Sequence, residues 1–101
     1  MVYVVEMEVK IPESWDEDKL KSFLEREKET SQKWQNSGKW KHLWRVAGKY
    51  SNISILDVES PEELHEIISS LPLFPYMNIK VTSICKHPNA IKENLLQSKE
   101  Y

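Results

Sequence analysis

Glu27 stands where a helix would be expected to carry an apolar residue. Leu20, Phe23, Leu24, Glu27, Ser31 and Trp34 follow one another in steps of three and four. That spacing marks the stripe an amphipathic helix turns toward its core, and Glu27 is the one charge on it. A carboxylate among apolar groups has its ionised form disfavoured and its pKa raised, which moves it toward the range of a working general base. The competing reading is a structural one: the side chain lies at the stripe's edge and reaches solvent, or pairs with a buried arginine. Arg45 is flanked by Trp44 and Val46. Its guanidinium can fork onto a substrate carboxylate or close a salt bridge within or between chains. His42 shares alternation with Trp40 and Trp44, which fits a core or interface histidine as well as a catalytic one. Phe74 and Tyr76, set among Pro72 and Pro75, can wall a pocket or simply pack.

Other chemistries lack their motifs. Gly38 and Gly48 are the only glycines, so there is no phosphate-cradling glycine loop. His42, His65 and His87 show no metal-binding spacing, and Cys85 is the single cysteine. No nucleophile elbow is present. Acid–base work without metal or organic cofactor is the class left standing.

The elements that must position these residues follow from periodicity. Residues 2–11 alternate, with Tyr3, Val5, Met7, Val9 and Ile11 on one side and Glu6, Glu8 and Lys10 on the other, until Pro12 ends the strand. Asp16 can cap a helix running to about Ser37, with Gly38 as its stop. Residues 40–46 read as a strand with Trp40, His42, Trp44 and Val46 on one face and Lys41, Leu43 and Arg45 on the other. A connection containing Gly48 leads to a third strand over 53–58. Ser60, Pro61 and Glu63 form a helix start with a capping box, followed by Leu64, Ile67, Ile68 and Leu71 at helical spacing. A fourth strand spans 76–85, with Met77, Ile79, Val81 and Ser83 on one face. The order βαββαβ predicts an α+β, ferredoxin-like fold: a four-stranded antiparallel sheet with two helices on one face. Residues 1–90 form the single domain. Residues 91–101 make a tail with Ile91, Leu95 and Leu96 at helical spacing, expected to pack on a neighbouring subunit or to fray. The uncovered sheet face calls for a partner, so a homo-oligomer is expected.

Composition bounds the rest. A chain of 101 residues with net charge −2 has no basic excess for nucleic acid. No apolar run approaches the roughly 20 residues of a membrane span, and the N-terminus has no signal-peptide pattern. One cysteine fits a reducing compartment, so a cytoplasmic location is expected.

Two segments resemble a known family. His42-Leu43-Trp44-Arg45-Val46-Ala47-Gly48, with Tyr50, Asn52, Ser54 and Asp57-Val58 after it, is similar to the central signature of muconolactone isomerases. Leu71-Pro72-Leu73-Phe74-Pro75-Tyr76-Met77 is similar to their second signature, and Ile79, Val81 and His87-Pro88 follow suit. The likeness covers roughly residues 1–90. It implies a ferredoxin-like, cofactor-free enzyme of the β-ketoadipate route of aromatic breakdown. Such an enzyme converts muconolactone to 3-oxoadipate enol-lactone, within a decamer built from dimers whose sites lie between subunits.

On that resemblance Glu27 is expected as the base and Arg45 as the anchor of the substrate carboxylate. His42, Asn52 and Tyr76 are expected to orient the lactone or donate to the dienolate, with Trp44 and Phe74 as further substrate contacts. Family members often carry histidine where this chain has Lys49, so no role passes to that position. Three rival readings stand beside this one. They are a chloromuconolactone dehalogenase of the same fold, a non-catalytic ligand-binding oligomer, and a dimeric α+β-barrel oxygenase.

Overall fold

The computed structural model describes residues 1–92. Its elements run β1 (Val2–Val9), α1 (Glu17–Asn36), β2 (Trp40–Arg45), β3 (Ser51–Asp57), α2 (Pro61–Ser69), a short 3₁₀ turn (Phe74–Tyr76) and β4 (Met77–Ile84). The strands form one antiparallel sheet in the order β2-β3-β1-β4. This is the expected βαββαβ arrangement. The proposed tail lies, from residue 93 on, outside the described residues. No described helix is long and apolar enough to cross a membrane.

The helix starts obey their local chemistry. Asp16 stays extended and its carboxylate accepts the Lys19 N–H at 2.8 Å, satisfying one of the amides a first turn leaves open. Ser60 does the same for the Glu63 N–H at 3.1 Å, with Pro61 in the first turn, where a missing N–H costs nothing. The Glu63 carboxylate reaches one residue further back than a capping box would place it. It accepts the Glu59 N–H at 3.0 Å and meets Lys39 Nζ at 2.6 Å, tying α2 to the start of β2. Gly38 ends the α1 connection at φ 86°, a conformation open to glycine.

Tyr3, Val5 and Met7 of β1 face the helices together with Ser54 and Leu56 of β3. They meet Leu64, Ile67, Ile68 and Leu71 from α2 and its exit. Each such large aliphatic side chain contributes about 1.5–3 kcal/mol by leaving water. The longer helix α1 buries no residue fully, so it lies over the sheet with space beneath it. Its C-terminal half is fastened by Trp34, whose Nε1 donates to Ser70 Oγ at 3.0 Å.

One expectation about facing is corrected. Trp40 pairs with Leu56, but His42 pairs with Ile55, so β2 carries one extra residue at Lys41. A bulge of this kind reverses the alternation beyond it. Trp40 therefore enters the core at 4 % exposure. Leu43 and Arg45, opposite Ser54 and Asn52, share its helix-facing side, while His42 and Trp44 lie on the open face opposite Ile55 and Ile53. The Trp40 Nε1 closes the bulge by donating to the His42 carbonyl at 3.1 Å.

Candidate active site

The space beneath α1 is a cavity of about 520 Å³, within the range of small-molecule sites. Helix α1 supplies Leu24, Glu27, Ser31 and Gln35, the β2–β3 hairpin supplies Leu43, Arg45, Tyr50 and Asn52, and Leu73 and Met77 close one end. The apolar stripe of α1 thus becomes the cavity roof, and its one carboxylate points into it. Glu27 is half-buried, and its Oε1 accepts the backbone N–H of Leu73 at 2.9 Å. Burial pushes its pKa above the usual carboxylate value, and the Leu73 N–H pulls the other way with the smaller effect. The result is a fixed carboxylate with raised proton affinity.

Arg45 forms no ion pair among the described residues, and neither does Glu27. The intrachain salt bridge that was the competing reading for both is therefore absent there. The Arg45 guanidinium instead lies 5.4 Å from the ring centre of Tyr50, in cation–π range. A cation not already matched by a carboxylate can receive one from a ligand. Asn52 adds an amide to the same cavity, its Oδ1 accepting from the buried Ser54 hydroxyl at 2.8 Å.

The other residues singled out in the sequence lie elsewhere. His42 and Trp44 stack in parallel on the open sheet face with centroids 6.4 Å apart, and Trp44 is 64 % exposed. Tyr76 packs edge-on against Trp15 at 4.8 Å and Phe23 at 6.1 Å. Phe74 meets His65 edge-on at 6.1 Å, over α2. Neither of these two aromatics lines the cavity around Glu27. Both follow Leu73 in the chain, and the successive turns through it are closed by the Phe74 N–H on the Leu71 carbonyl and the Tyr76 N–H on the Leu73 carbonyl, both at 2.9 Å. Together they hold in place the loop whose N–H meets Glu27.

Sequence reasoning missed the Leu73 N–H and Tyr50 as parts of this site. The first is a backbone group with no side-chain signature. Tyr50 follows a turn at Gly48 (φ 80°), where alternation gives no facing. Among the described residues, no group of three or more His, Cys, Asp or Glu side chains is placed to hold a metal ion.

A roofed carboxylate, an arginine without an ion pair among the described residues and an amide line one cavity, a set of groups with the chemistry to hold an anionic small molecule and move a proton on it. Comparison with known proteins narrows it. The family model for muconolactone delta-isomerase matches residues 1–90. The chain belongs to the muconolactone delta-isomerase family. The family's Rhodococcus opacus muconolactone Delta-isomerase is 50 % identical over 91 residues, covering 90 % of this chain and 98 % of the relative. The muconolactone Delta-isomerase of Acinetobacter baylyi is 47 % identical over 94 residues, covering 93 % and 98 %. A muconolactone isomerase crystal structure superposes with a TM-score of 0.85 at 47 % identity, over 90 % of this chain and 95 % of that one. The muconolactone delta-isomerase fold and the expected βαββαβ order therefore agree.

Proposed function

We propose that this chain is an isomerase that converts muconolactone to 3-oxoadipate enol-lactone by shifting one carbon–carbon double bond, with Glu27 as the base. The observation that carries the proposal is the raised-pKa Glu27 carboxylate sharing a cavity with an unpaired Arg45.

The chemistry is a proton transfer in two halves. Ionised Glu27 takes the proton from the ring carbon that bears the carboxymethyl arm. The electron pair spreads through the double bond onto the lactone carbonyl oxygen as a dienolate. Protonated Glu27 then returns a proton to the carbon next to that carbonyl, and the double bond is left one position along the ring. One proton leaves and one returns, so the enzyme ends as it began. Desolvation by the apolar stripe makes the carboxylate a stronger base than it is in water. The Leu73 N–H fixes one oxygen, leaving Oε2 to face the ring. Arg45 forks onto the carboxymethyl carboxylate and sets the distance between base and ring carbon. Asn52 donates to the lactone oxygen as charge gathers there.

The reaction serves catechol breakdown through the β-ketoadipate route. The chain works as a homo-oligomer, a decamer built from dimers, which the open sheet face with Trp44 at 64 % and Ile53 at 36 % exposure supports. Its single, exposed thiol, Cys85, suits the cytoplasm. On that face His42 and Trp44 would approach the substrate of a neighbouring subunit, and Phe74 and Tyr76 would act by holding the Leu73 loop.

The test is proton NMR of muconolactone with the purified protein in D₂O. The expected result is conversion to the enol-lactone, with deuterium next to the carbonyl in proportion to how far protonated Glu27 exchanges with solvent before it returns the proton. Binding of the lactone with no exchange and no product would show a ligand-binding protein and sink the enzyme reading.

A further inference from the structure

Ser54 is the one fully buried polar side chain among the described residues, at 0 % exposure. It lies on β3 two residues from Asn52 and on the same helix-facing side, between Val5 of β1 and Leu43 of β2. These neighbours are apolar, so a serine needs a reason to be there. Its Oγ is 2.8 Å from Asn52 Oδ1 and makes no other hydrogen bond among the described residues.

That geometry fixes which end of the Asn52 amide faces which way. A buried hydroxyl must place its hydrogen on an acceptor or carry the full cost of desolvation. The amide oxygen is the acceptor within reach. Were the amide reversed, its NH₂ would donate to Ser54 Oγ and the hydroxyl hydrogen would have nowhere to go. Donation from Ser54 thus holds the Asn52 carbonyl against the core and turns its NH₂ away from Ser54. Asn52 borders the cavity that contains Glu27 and Arg45, so the group offered to a ligand is an N–H donor and not a carbonyl.

We infer that Ser54 is a positioning residue for the isomerase: it locks the Asn52 amide so that an N–H meets the lactone oxygen on which the dienolate charge gathers. A donor stabilises that charge, whereas a carbonyl in the same place repels it. The contact strengthens as charge develops, so its loss falls on kcat more than on KM. The inference rests on the isomerase reading of this cavity and adds to it a residue that never touches substrate.

The experiment is a double-variant cycle on the full chain, with kcat and KM measured on muconolactone. Asn52→Ala is expected to lower kcat about 10²-fold, as removal of an oxyanion donor does. Asn52→Asp keeps the bond from Ser54 but offers no N–H, and is expected to fall at least as far. Ser54→Ala is expected to lower kcat about tenfold with KM nearly unchanged, the effect of losing one orienting hydrogen bond. In the Asn52→Ala background the same Ser54→Ala change is expected to cost nothing further. If Ser54→Ala costs the same in both backgrounds, or acts only on KM, Ser54 is a packing residue and the inference is overturned. An unaffected Asn52→Ala overturns it as well. Failure of the isomerase reading itself looks different: Glu27→Gln then turns over like the parent.

Discussion

Glu27 Oε1 and the Leu73 backbone N–H meet at 2.9 Å across 46 residues of sequence. The contact joins the centre of α1 to the loop between α2 and β4. It restrains the carboxylate through one oxygen and leaves Oε2 without a hydrogen-bond partner among the described residues. The donor belongs to a loop whose Phe74 packs on His65 and whose Tyr76 packs on Trp15 and Phe23, so under the proposed mechanism the base is aimed by the backbone, and small changes in that loop are felt at the reacting proton.

A raised carboxylate pKa makes a stability prediction whose sign is set by linkage. Burial raises Glu27 in the folded state relative to the unfolded chain, where it titrates normally. Its favourable contribution is therefore complete at low pH and is lost as pH rises through the raised value. Glu27→Gln keeps an oxygen for the Leu73 N–H and removes the buried charge. The variant is expected to melt above the parent at neutral pH, with the gap closing as pH falls into the ordinary carboxylate range. A thermal melt series across pH checks this; a gap that widens toward acid would contradict it. Parent activity is expected to follow the opposite limb, falling as Glu27 takes up its proton.

Arg45 is expected to act on binding. Charge-assisted hydrogen bonds to a carboxylate contribute about 1.5–3 kcal/mol, so Arg45→Ala should raise KM about 10–100-fold. Arg45→Lys keeps the charge but not the fork and should fall between the two. Steady-state kinetics decide, and an unchanged KM for Arg45→Ala would remove the anchor from the mechanism.

The bulge at Lys41 gives a test of facing. The Lys41 side chain is exposed, so Lys41→Ala is expected to leave melting and turnover within error. Deletion of Lys41 removes only the extra residue, and plain alternation then still places Trp40, Leu43 and Arg45 on one face, opposite Leu56, Ser54 and Asn52. The deletion variant is therefore expected to keep Trp40 in the core and Arg45 in the cavity, with kcat/KM well above that of Arg45→Ala. A loss as large as that of Arg45→Ala would refute the assigned register.

The bulge also shows where reading the sequence stops. Alternation along β1, the Asp16 and Ser60 caps and the stripe that carries Glu27 were all legible, because each depends on neighbours within a turn or two. Alternation along β2 misled, since an extra residue leaves no mark in composition yet moved Leu43 and Arg45 to the side of Trp40 and His42 and Trp44 to the open face. Phe74 and Tyr76 were legible as a pair around prolines, but their partners His65, Trp15 and Phe23 are tertiary. The Leu73 N–H and the Ser54 hydroxyl were illegible for a further reason. One has no side chain to see, and the other matters only through the amide it turns.

The most direct test of the account is kcat of Glu27→Gln on muconolactone, measured on protein whose assembly state and melting match or exceed the parent's. Glutamine keeps the shape and the bond to Leu73 but cannot accept the proton, so a fall of about 10²–10⁴-fold is predicted. Turnover close to the parent's would contradict the assignment of Glu27 as the base.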